Sequence, residues 1–204
     1  MPFETVEASL NETDLTALLG SRLCHDLISP IGAIANGLEL LTMSCATQGP
    51  EIELIEQSVA AANARVKFFR VAFGQSSEQQ QLGQPEIASL LAGISAQGRL
   101  RLHWEISGDH ARGLVKLAFL SILCLETVLP YGGTITVRDC GGRWEIGAQS
   151  EKARGDARLF STLDGAHIDV TPAQVQFALL PRLAARLGLG LDWALTETGG
   201  VIRF

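Results

Sequence analysis

Apolar residues recur every three or four positions through the first 75 residues, a spacing that predicts two long helices. Pro50 follows Gly49 at the predicted start of the second helix, and proline is favoured in a first helical turn. The repeating positions of the second helix are Ile52, Ile55, Val59, Ala62, Val66, Phe69 and Phe73. In the first helix, the apolar positions that lie within about 30° of one line are Leu23, Leu27, Ile34, Leu38 and Leu41.

The connection predicted between these helices runs only from Ser44 to Gly49, and such short connections join antiparallel neighbours. Each helix of an isolated hairpin has one partner to cover its apolar stripe. A second copy of the hairpin would cover the rest, so the sequence predicts a homodimer with a four-helix bundle. The alternative is that the hairpin packs against the remainder of its own chain.

The chain changes character after the hairpin. The segment from Gly74 to Gly83 is polar and rich in glutamine, as linkers are. We therefore divide the chain into a helical hairpin over residues 1–75, a linker over residues 76–83 and a second domain over residues 84–204. Helices are predicted over residues 85–97, 111–129 and 171–187, and strands over residues 100–106, 134–138, 143–148, 191–196 and 201–204.

This order of elements predicts an α+β protein whose second domain is an α/β sandwich, with one mostly antiparallel sheet and helices on one face. Two of its turns are expected at Gly-Gly pairs. The turn DCGG joins the second and third predicted strands, and Gly199-Gly200 joins the last two.

Composition and charge narrow the function classes. Apolar residues make up 47% of the chain and charged residues 19%, which is typical of a soluble globular protein. The net charge of -6, without a basic cluster, argues against nucleic-acid binding. The longest apolar stretch, Leu114 to Pro130, is interrupted by Lys116 and Glu126 and predicts a buried helix rather than a membrane span.

We expect a cytoplasmic location, because the acidic start of the chain lacks the basic segment of a signal peptide. The cysteines are far apart and form no C-x-x-C pair, which favours reduced thiols over a disulfide or zinc framework. They are Cys24, Cys45, Cys124 and Cys140.

A polar stripe on the first helix carries the candidate chemistry. Ser21, Ser29, Gly32 and Asn36 each fall within about 40° of His25 on the helix, opposite the apolar line. The imidazole is therefore expected to face solvent among small or polar neighbours that leave room for a docking partner. Pro30 breaks a hydrogen bond in mid-helix one turn later, at a cost on the order of 3 kcal/mol in an ordinary helix.

Arg22 lies three residues before His25, close enough to steady an anionic group on the imidazole. Isolated histidines on helix surfaces usually have no special role. The adjacent Asp26, the proline and the small-residue stripe together favour a functional one.

The string HDLISP, beginning at His25, resembles the phosphoacceptor box of histidine kinase dimerisation domains. The longer string SRLCHDLISPIGAIANGLELL resembles the ChpT-type histidine phosphotransferases. The match is strong over the hairpin and weaker, in the order of its elements, over the second domain.

This resemblance implies that His25 carries a phosphoryl group. The donor would be the receiver domain of a hybrid histidine kinase, and the acceptor the receiver domain of a response regulator. A neutral imidazole nitrogen is nucleophilic at physiological pH. Mg²⁺ is expected on the receiver, so this chain would bind no metal of its own.

Asp26 lies about 100° round the helix from His25, and the resemblance assigns it to orienting or polarising the imidazole. We expect the receiver to dock along the first helix near His25. The positions assigned to that contact are Arg22, Ser29, Gly32 and Asn36.

The second domain resembles the ATP-binding domain of histidine kinases. Residues 117–137 are similar to its N-box helix, glycine turn and strand, but Cys124 stands where the magnesium-binding asparagine is expected. The segment from Gln149 to Arg154 lacks the expected Asp-x-Gly-x-Gly loop. Glycine-rich turns let a backbone approach a nucleotide closely, so their absence predicts a degenerate scaffold that binds no ATP.

Two other functions stay open from the sequence. One is an ATP-dependent histidine kinase with an unusual nucleotide loop, which would label itself from ATP. The other is a non-catalytic adaptor, whose binding to receivers would survive the loss of His25.

Overall fold

The computed structural model describes residues 12–44, 49–75, 79–96 and 98–204. The N-terminal residues 1–11, most of the predicted connection (45–48, with Cys45), part of the predicted linker (76–78) and residue 97 lie outside the described residues. The helices are α1 (Glu12–Ser44), α2 (Pro50–Ala72), α3 (Gln84–Ala96), α4 (Arg112–Glu126), α5 (Ala157–Phe160) and α6 (Val175–Arg186). Two 3-10 turns accompany them, at Ser161–Asp164 and Pro172–Gln174.

The strands form one large and one small sheet. They are β1 (Gln81–Gly83), β2 (Leu100–Trp104), β3 (Asp109–Ala111), β4 (Gly133–Asp139), β5 (Trp144–Gln149), β6 (Asp192–Thr196) and β7 (Gly199–Arg203). The five-stranded sheet has the order β2-β4-β5-β7-β6, with β2 parallel to β4 and the other pairs antiparallel. The predicted architecture, a helical hairpin followed by a mostly antiparallel sheet with packed helices, is confirmed.

The hairpin is held by a close approach of its two helices. Gly37 on α1 is buried, and a Cβ built there would lie 2.6 Å from Cγ1 of Ile55 on α2. A larger residue than glycine would therefore push the helices apart. The predicted antiparallel pairing of two long helices is observed in the described residues.

The apolar stripe of α2 serves more than one partner, which differs from the single seam expected. Ile55 meets α1, whereas Val59 and Val66 stay 40% and 50% exposed. Near the end of the helix, Phe69 and its neighbour Phe68 are buried in the core of the second domain. The hairpin therefore docks onto the rest of its own chain at one end and leaves apolar surface along the other.

The core of the second domain lies between the large sheet and the helices on one face. Helix α4 is its centre, with ten consecutive or near-consecutive buried positions between Val115 and Leu125. Phe119 of this helix stacks on Phe68 of α2 with ring centroids 4.6 Å apart. Removing either ring would cost about 3–5 kcal/mol, as for other buried aromatic residues.

Three local expectations differ from the structure. The end of the predicted linker, Gln81–Gly83, forms β1 and pairs with β3. Gly199 and Gly200 lie within β7 rather than in the turn, where Glu197 and Thr198 stand. A Cβ on Gly199 would lie 1.9 Å from the carbonyl oxygen of Ala148, so glycine is needed there for close strand packing.

The third difference is the start of the last helix. Thr171 and Gln174 form a capping box, but Pro172–Gln174 is a 3-10 turn and the α-helix begins at Val175. No helix in the described ranges is long and apolar enough to cross a membrane.

Candidate functional site

His25 projects from the middle of α1 into solvent. Its side chain is 81% exposed, and it lines an open groove of about 410 Å³ between α1 and α2. The other positions of the predicted polar stripe are exposed as well: Ser21, Ser29, Gly32 and Asn36. Gly32 has no heavy atom within 4 Å of where its Cβ would stand, so space beside the imidazole is open.

Asp26 holds one nitrogen of this imidazole. The Nδ1 atom of His25 lies 3.1 Å from Oδ1 of Asp26, although the two residues are adjacent on the helix. An ionised carboxylate can only accept hydrogen bonds, so Nδ1 carries the proton and donates it. The lone pair of the neutral ring then lies on Nε2, the nitrogen that Asp26 does not hold.

Arg22 lies beneath this pair rather than beside the imidazole, where the sequence had placed it as a contact for a partner or an anion. Only 9% of Arg22 is exposed. Its Nε donates to Oδ2 of Asp26 at 2.7 Å, and one of its terminal nitrogens donates to the carbonyl oxygen of Ala173. Arg22 therefore ties the aspartate that holds His25 to the second domain.

A buried side chain of the second domain reinforces this tie. Gln176, at the start of α6, is fully buried, and its Nε2 donates to the carbonyl oxygen of Ala173 at 3.1 Å. The same amide lies 3.3 Å from the carbonyl oxygen of Leu123 on α4. A chain of hydrogen bonds thus runs from the core of the second domain through Ala173, Arg22 and Asp26 to the exposed imidazole.

Helix α2 supplies the opposite wall of the groove. Arg65 points toward Asp26, with 3.9 Å between its terminal nitrogen and Oδ2. Pro30 lines the same groove from α1. Because proline has no N–H, the backbone carbonyl of Asp26, four residues earlier, lacks its helical partner.

The α4 position that aligns with the magnesium-binding asparagine of kinases lies in the packed core. Cys124, which stands where asparagine was expected, is fully buried on α4, and burial raises the pKa of its thiol well above the usual value. Between β5 and α6, Phe160 of α5 packs edge-on against Phe177 of α6 with centroids 5.1 Å apart. Both rings are fully buried.

Metal ligands are not gathered at this site. Within the described ranges, no group of three or more His, Cys, Asp or Glu side chains is arranged to hold a metal ion. Three cysteines of the described part, Cys24, Cys124 and Cys140, carry free thiols.

Comparisons with known proteins identify the family of this chain. The family model of the histidine phosphotransferase C-terminal domain matches residues 84–199, more than half of the chain. The chain belongs to the histidine phosphotransferase family. Its helical hairpin and sheet domain are thus the two parts of a histidine phosphotransferase of a phosphorelay.

Relatives extend the likeness over almost the whole chain. The protein phosphotransferase ChpT of Brucella abortus (strain 2308) is 33% identical over 200 residues, covering 92% of this chain and 93% of the relative. A solved bacterial phosphotransferase superposes with a TM-score of 0.79 at 29% identity, covering 95% of this chain and 97% of that one. The histidine kinase AdeS of Acinetobacter baumannii matches with a TM-score of 0.44 at 10% identity, covering 88% of this chain and 95% of that one.

Sequence reasoning missed the residues that support the imidazole from a distance. Arg65 had a signal, because Ser58, Ala61 and Arg65 recur at helical spacing as a small and polar stripe of α2 that matches the stripe of α1. Ala173 and Gln176 had none, because a contact across 151 residues of sequence leaves no local pattern.

Proposed function

We propose that His25 is the phosphoacceptor of this histidine phosphotransferase. The imidazole accepts a phosphoryl group from the aspartate of one receiver domain and passes it to the aspartate of another. The observation that carries this proposal is an imidazole that is 81% exposed while Asp26 holds its Nδ1 at 3.1 Å. The ring is thus fixed in one tautomer and offers Nε2 to an incoming partner.

The first transfer begins with attack of the Nε2 lone pair on the phosphorus of an aspartyl phosphate. The N–P bond forms as the bond between phosphorus and the aspartate oxygen breaks, and the aspartate leaves as a carboxylate. The phosphorylated imidazole keeps its Nδ1 proton and carries a positive charge, which Asp26 stabilises. The second transfer reverses these steps on another receiver.

We assign the donor to the receiver domain of a hybrid histidine kinase and the acceptor to the receiver domain of a response regulator. Mg²⁺ belongs to the acidic pocket of the receiver, where it offsets charge on the phosphoryl group. The receiver docks along α1 over Ser29, Gly32 and Asn36, whose exposure beside His25 supports this assignment. Arg22 acts from below by holding Asp26.

The proposal includes no ATP-dependent step. Two observations support this: the thiol of Cys124 is buried where a magnesium-binding asparagine was expected, and the rings of Phe160 and Phe177 are packed against each other in the core. We also place the reaction in the cytoplasm, where the free thiols of the chain are kept reduced.

We further propose that the active form is a homodimer with a four-helix bundle. Apolar side chains remain exposed along the hairpin: Ile28 at 68%, Ile31 at 57%, Leu38 at 58%, Leu54 at 40%, Val59 at 40% and Val66 at 50%. On α1 these residues lie about 60–140° round the helix from His25. A second hairpin can therefore cover Ile28, Ile31 and Leu38 without covering the imidazole.

One assay tests the phosphotransfer. The chain is incubated with a receiver that carries radiolabelled phosphate, and its His25→Ala variant is treated in parallel. We expect label on the wild type and none on the variant. Equal labelling of the two would refute the role of His25, and binding of the receiver without any transfer would identify an adaptor. Labelling from radioactive ATP alone would contradict the absence of kinase activity.

The dimer is tested by the mass in solution. Ile31→Asp places a charge on the exposed apolar face and should convert the dimer to a monomer, measured by light scattering after gel filtration. Tyr131→Ser, which changes an exposed side chain outside the hairpin, should leave the dimer intact. A monomeric wild type would contradict the proposal.

A further inference from the structure

A second cavity lies on the other side of Arg65 from His25. It has a volume of about 300 Å³ and is enclosed by α2, the end of α3, β2 and α4. Ala61 and Arg65 line both this cavity and the groove of His25. We call it the α2–α4 cavity.

The floor of the α2–α4 cavity is apolar and well packed. Phe68, Phe69, Leu102 and Ile122 line it, and each of these residues is at most 8% exposed. Such a floor gains free energy when it covers hydrocarbon or an aromatic ring, at about 25 cal/mol per Å² of apolar surface removed from water. Pockets for organic ligands commonly begin at about 300 Å³, the size observed here.

Three charged side chains line the cavity around this floor: Arg65, Arg99 and Glu126. Among the described residues, the side chain of Arg99 forms no hydrogen bond or ion pair, and the same holds for the carboxyl of Glu126. Arg65 reaches a single carboxylate, Asp26, at 3.9 Å. The two guanidinium groups that line the cavity therefore attract Glu126 without an ion pair to it.

The carboxyl among these groups, Glu126, has a raised pKa. Burial raises the pKa of the Glu126 carboxyl, and the charge of Asp26 acts in the same direction, while Arg22, Arg65 and Arg99 act against it. Two guanidinium groups and one carboxyl line the cavity, so its balance of charge is positive even when Glu126 is ionised.

We propose that the α2–α4 cavity binds a small organic anion with an apolar body, of the size of a two-ring aryl carboxylate. The ring system lies on Phe68, Phe69, Leu102 and Ile122. The carboxylate accepts hydrogen bonds from Arg65 and Arg99, as guanidinium groups favour.

Occupation of the cavity would be sensed at the phosphoacceptor. An anion that draws Arg65 into the cavity removes it from Asp26, whose other oxygen holds His25. This consequence rests on the proposed function, whereas binding itself does not. Binding of the anion is measured without any phosphoryl group. A failure of the anion to bind can therefore be told apart from a failure of His25 to transfer phosphate.

The experiment titrates the full chain with 2-naphthoate and follows amide shifts by NMR. We expect saturable shifts at residues around the cavity with a Kd below about 1 mM. Arg99→Gln should weaken binding about tenfold, consistent with the loss of a charged hydrogen bond. Arg70→Gln, on the same helix but outside the cavity, should change it less than about twofold. The uncharged analogue 2-naphthalenemethanol should bind at least about tenfold more weakly than 2-naphthoate.

Three results would overturn the proposal. The first is an absence of saturable shifts up to about 10 mM, which corresponds to negligible affinity. The second is equal binding of the charged and uncharged compounds, a comparison that needs no variant and so does not depend on folding. The third is a set of shifts centred on the exposed apolar face of the hairpin instead of the cavity.

Discussion

The Nδ1 atom of His25 lies 3.1 Å from Oδ1 of Asp26, and the exposed ring stands on a carboxylate that is only 11% exposed. Neighbouring side chains on a helix point about 100° apart, so this contact requires the aspartate to be held in place. Arg22 does so from below, and Arg65 from across the groove. The phosphoacceptor is therefore exposed while its support is buried.

The first prediction concerns that support. Asp26→Asn keeps the shape but removes the charge that stabilises the phosphorylated imidazole. The rate of transfer from a phosphorylated receiver should fall about 10- to 100-fold, because hydrogen bonds to charged groups contribute about 1.5–3 kcal/mol. Rapid-quench labelling measures the rate, and binding of the receiver should change little.

The matched control is Glu56→Gln, which removes an exposed carboxylate from α2. Its transfer rate should equal that of the wild type. A full rate in Asp26→Asn would show that the contact with Nδ1 has no part in the reaction.

The second prediction concerns the link between the two domains. Arg22 donates to Asp26 and to the carbonyl oxygen of Ala173 at once, and a lysine cannot span both acceptors with one ammonium group. Arg22→Lys should lower the free energy of unfolding by about 1–3 kcal/mol, because the largely buried side chain at this position loses one of its two hydrogen bonds, either the charged one to Asp26 or the one to Ala173. Urea unfolding followed by circular dichroism measures this.

The same variant should also slow phosphotransfer, since Asp26 loses its main anchor. Arg158→Lys serves as the control, because Arg158 is exposed and its side chain forms no ion pair within the described residues. Unchanged stability and rate in Arg22→Lys would mean that the second domain does not support the phosphoacceptor.

The third prediction tests the docking face. Gly32→Arg adds a long side chain where no atom lies within 4 Å, so the fold and the dimer should persist. Receiver affinity should fall about tenfold or more, a loss of about 1.4 kcal/mol. Calorimetric titration with an unphosphorylated receiver measures this.

Gly20→Arg is the control for this variant. Gly20 is also open on α1, but it lies about 120° round the helix from Gly32. It should leave receiver affinity unchanged. If both variants lowered the affinity for the receiver equally, the assignment of the docking face would be wrong.

Helical periodicity was enough to place the exposed stripe of His25, Ser29, Gly32 and Asn36, because it depends only on the geometry of one helix. It could not assign partners to the stripe of α2. Positions such as Ile55 and Phe69 have the same spacing, yet one meets α1 and the other the second domain. A pattern gives the direction of a side chain and leaves open what covers it.

Contacts between distant segments could not be predicted from the sequence, because periodicity does not identify the partner of a side chain. Arg22 was expected beside the imidazole because it lies one turn away, but Ala173, remote in sequence, draws it beneath Asp26. Gly199 was expected to form a turn, but it lies in β7, where it allows close packing against Ala148. Glycine also permits close packing of strands, and only the neighbouring strand shows which use applies.

The fourth prediction concerns how the free energy of unfolding depends on pH through Glu145. Glu145 on β5 is only 9% exposed and lies between Arg138 of β4 and Arg203 of β7, whose Nε atoms are 2.8 and 2.6 Å from its oxygens. The hydrogen bond from Arg138 lowers the pKa of the Glu145 carboxyl, burial opposes this, and the bond from Arg203 supports it. The folded state therefore favours the carboxylate.

Because the folded pKa lies below the unfolded one, the stabilising contribution of Glu145 is fully present above the unfolded pKa of about 4.3 and is lost as the pH falls through the folded value. Glu145→Gln should lower the free energy of unfolding at pH 7 by about 1–3 kcal/mol. The difference from the wild type should shrink below about pH 4.3. Urea unfolding at a series of pH values measures both, with the exposed Glu151→Gln as the control. A difference that stayed constant into acid would show that the lost stability comes from packing and not from the charge of Glu145.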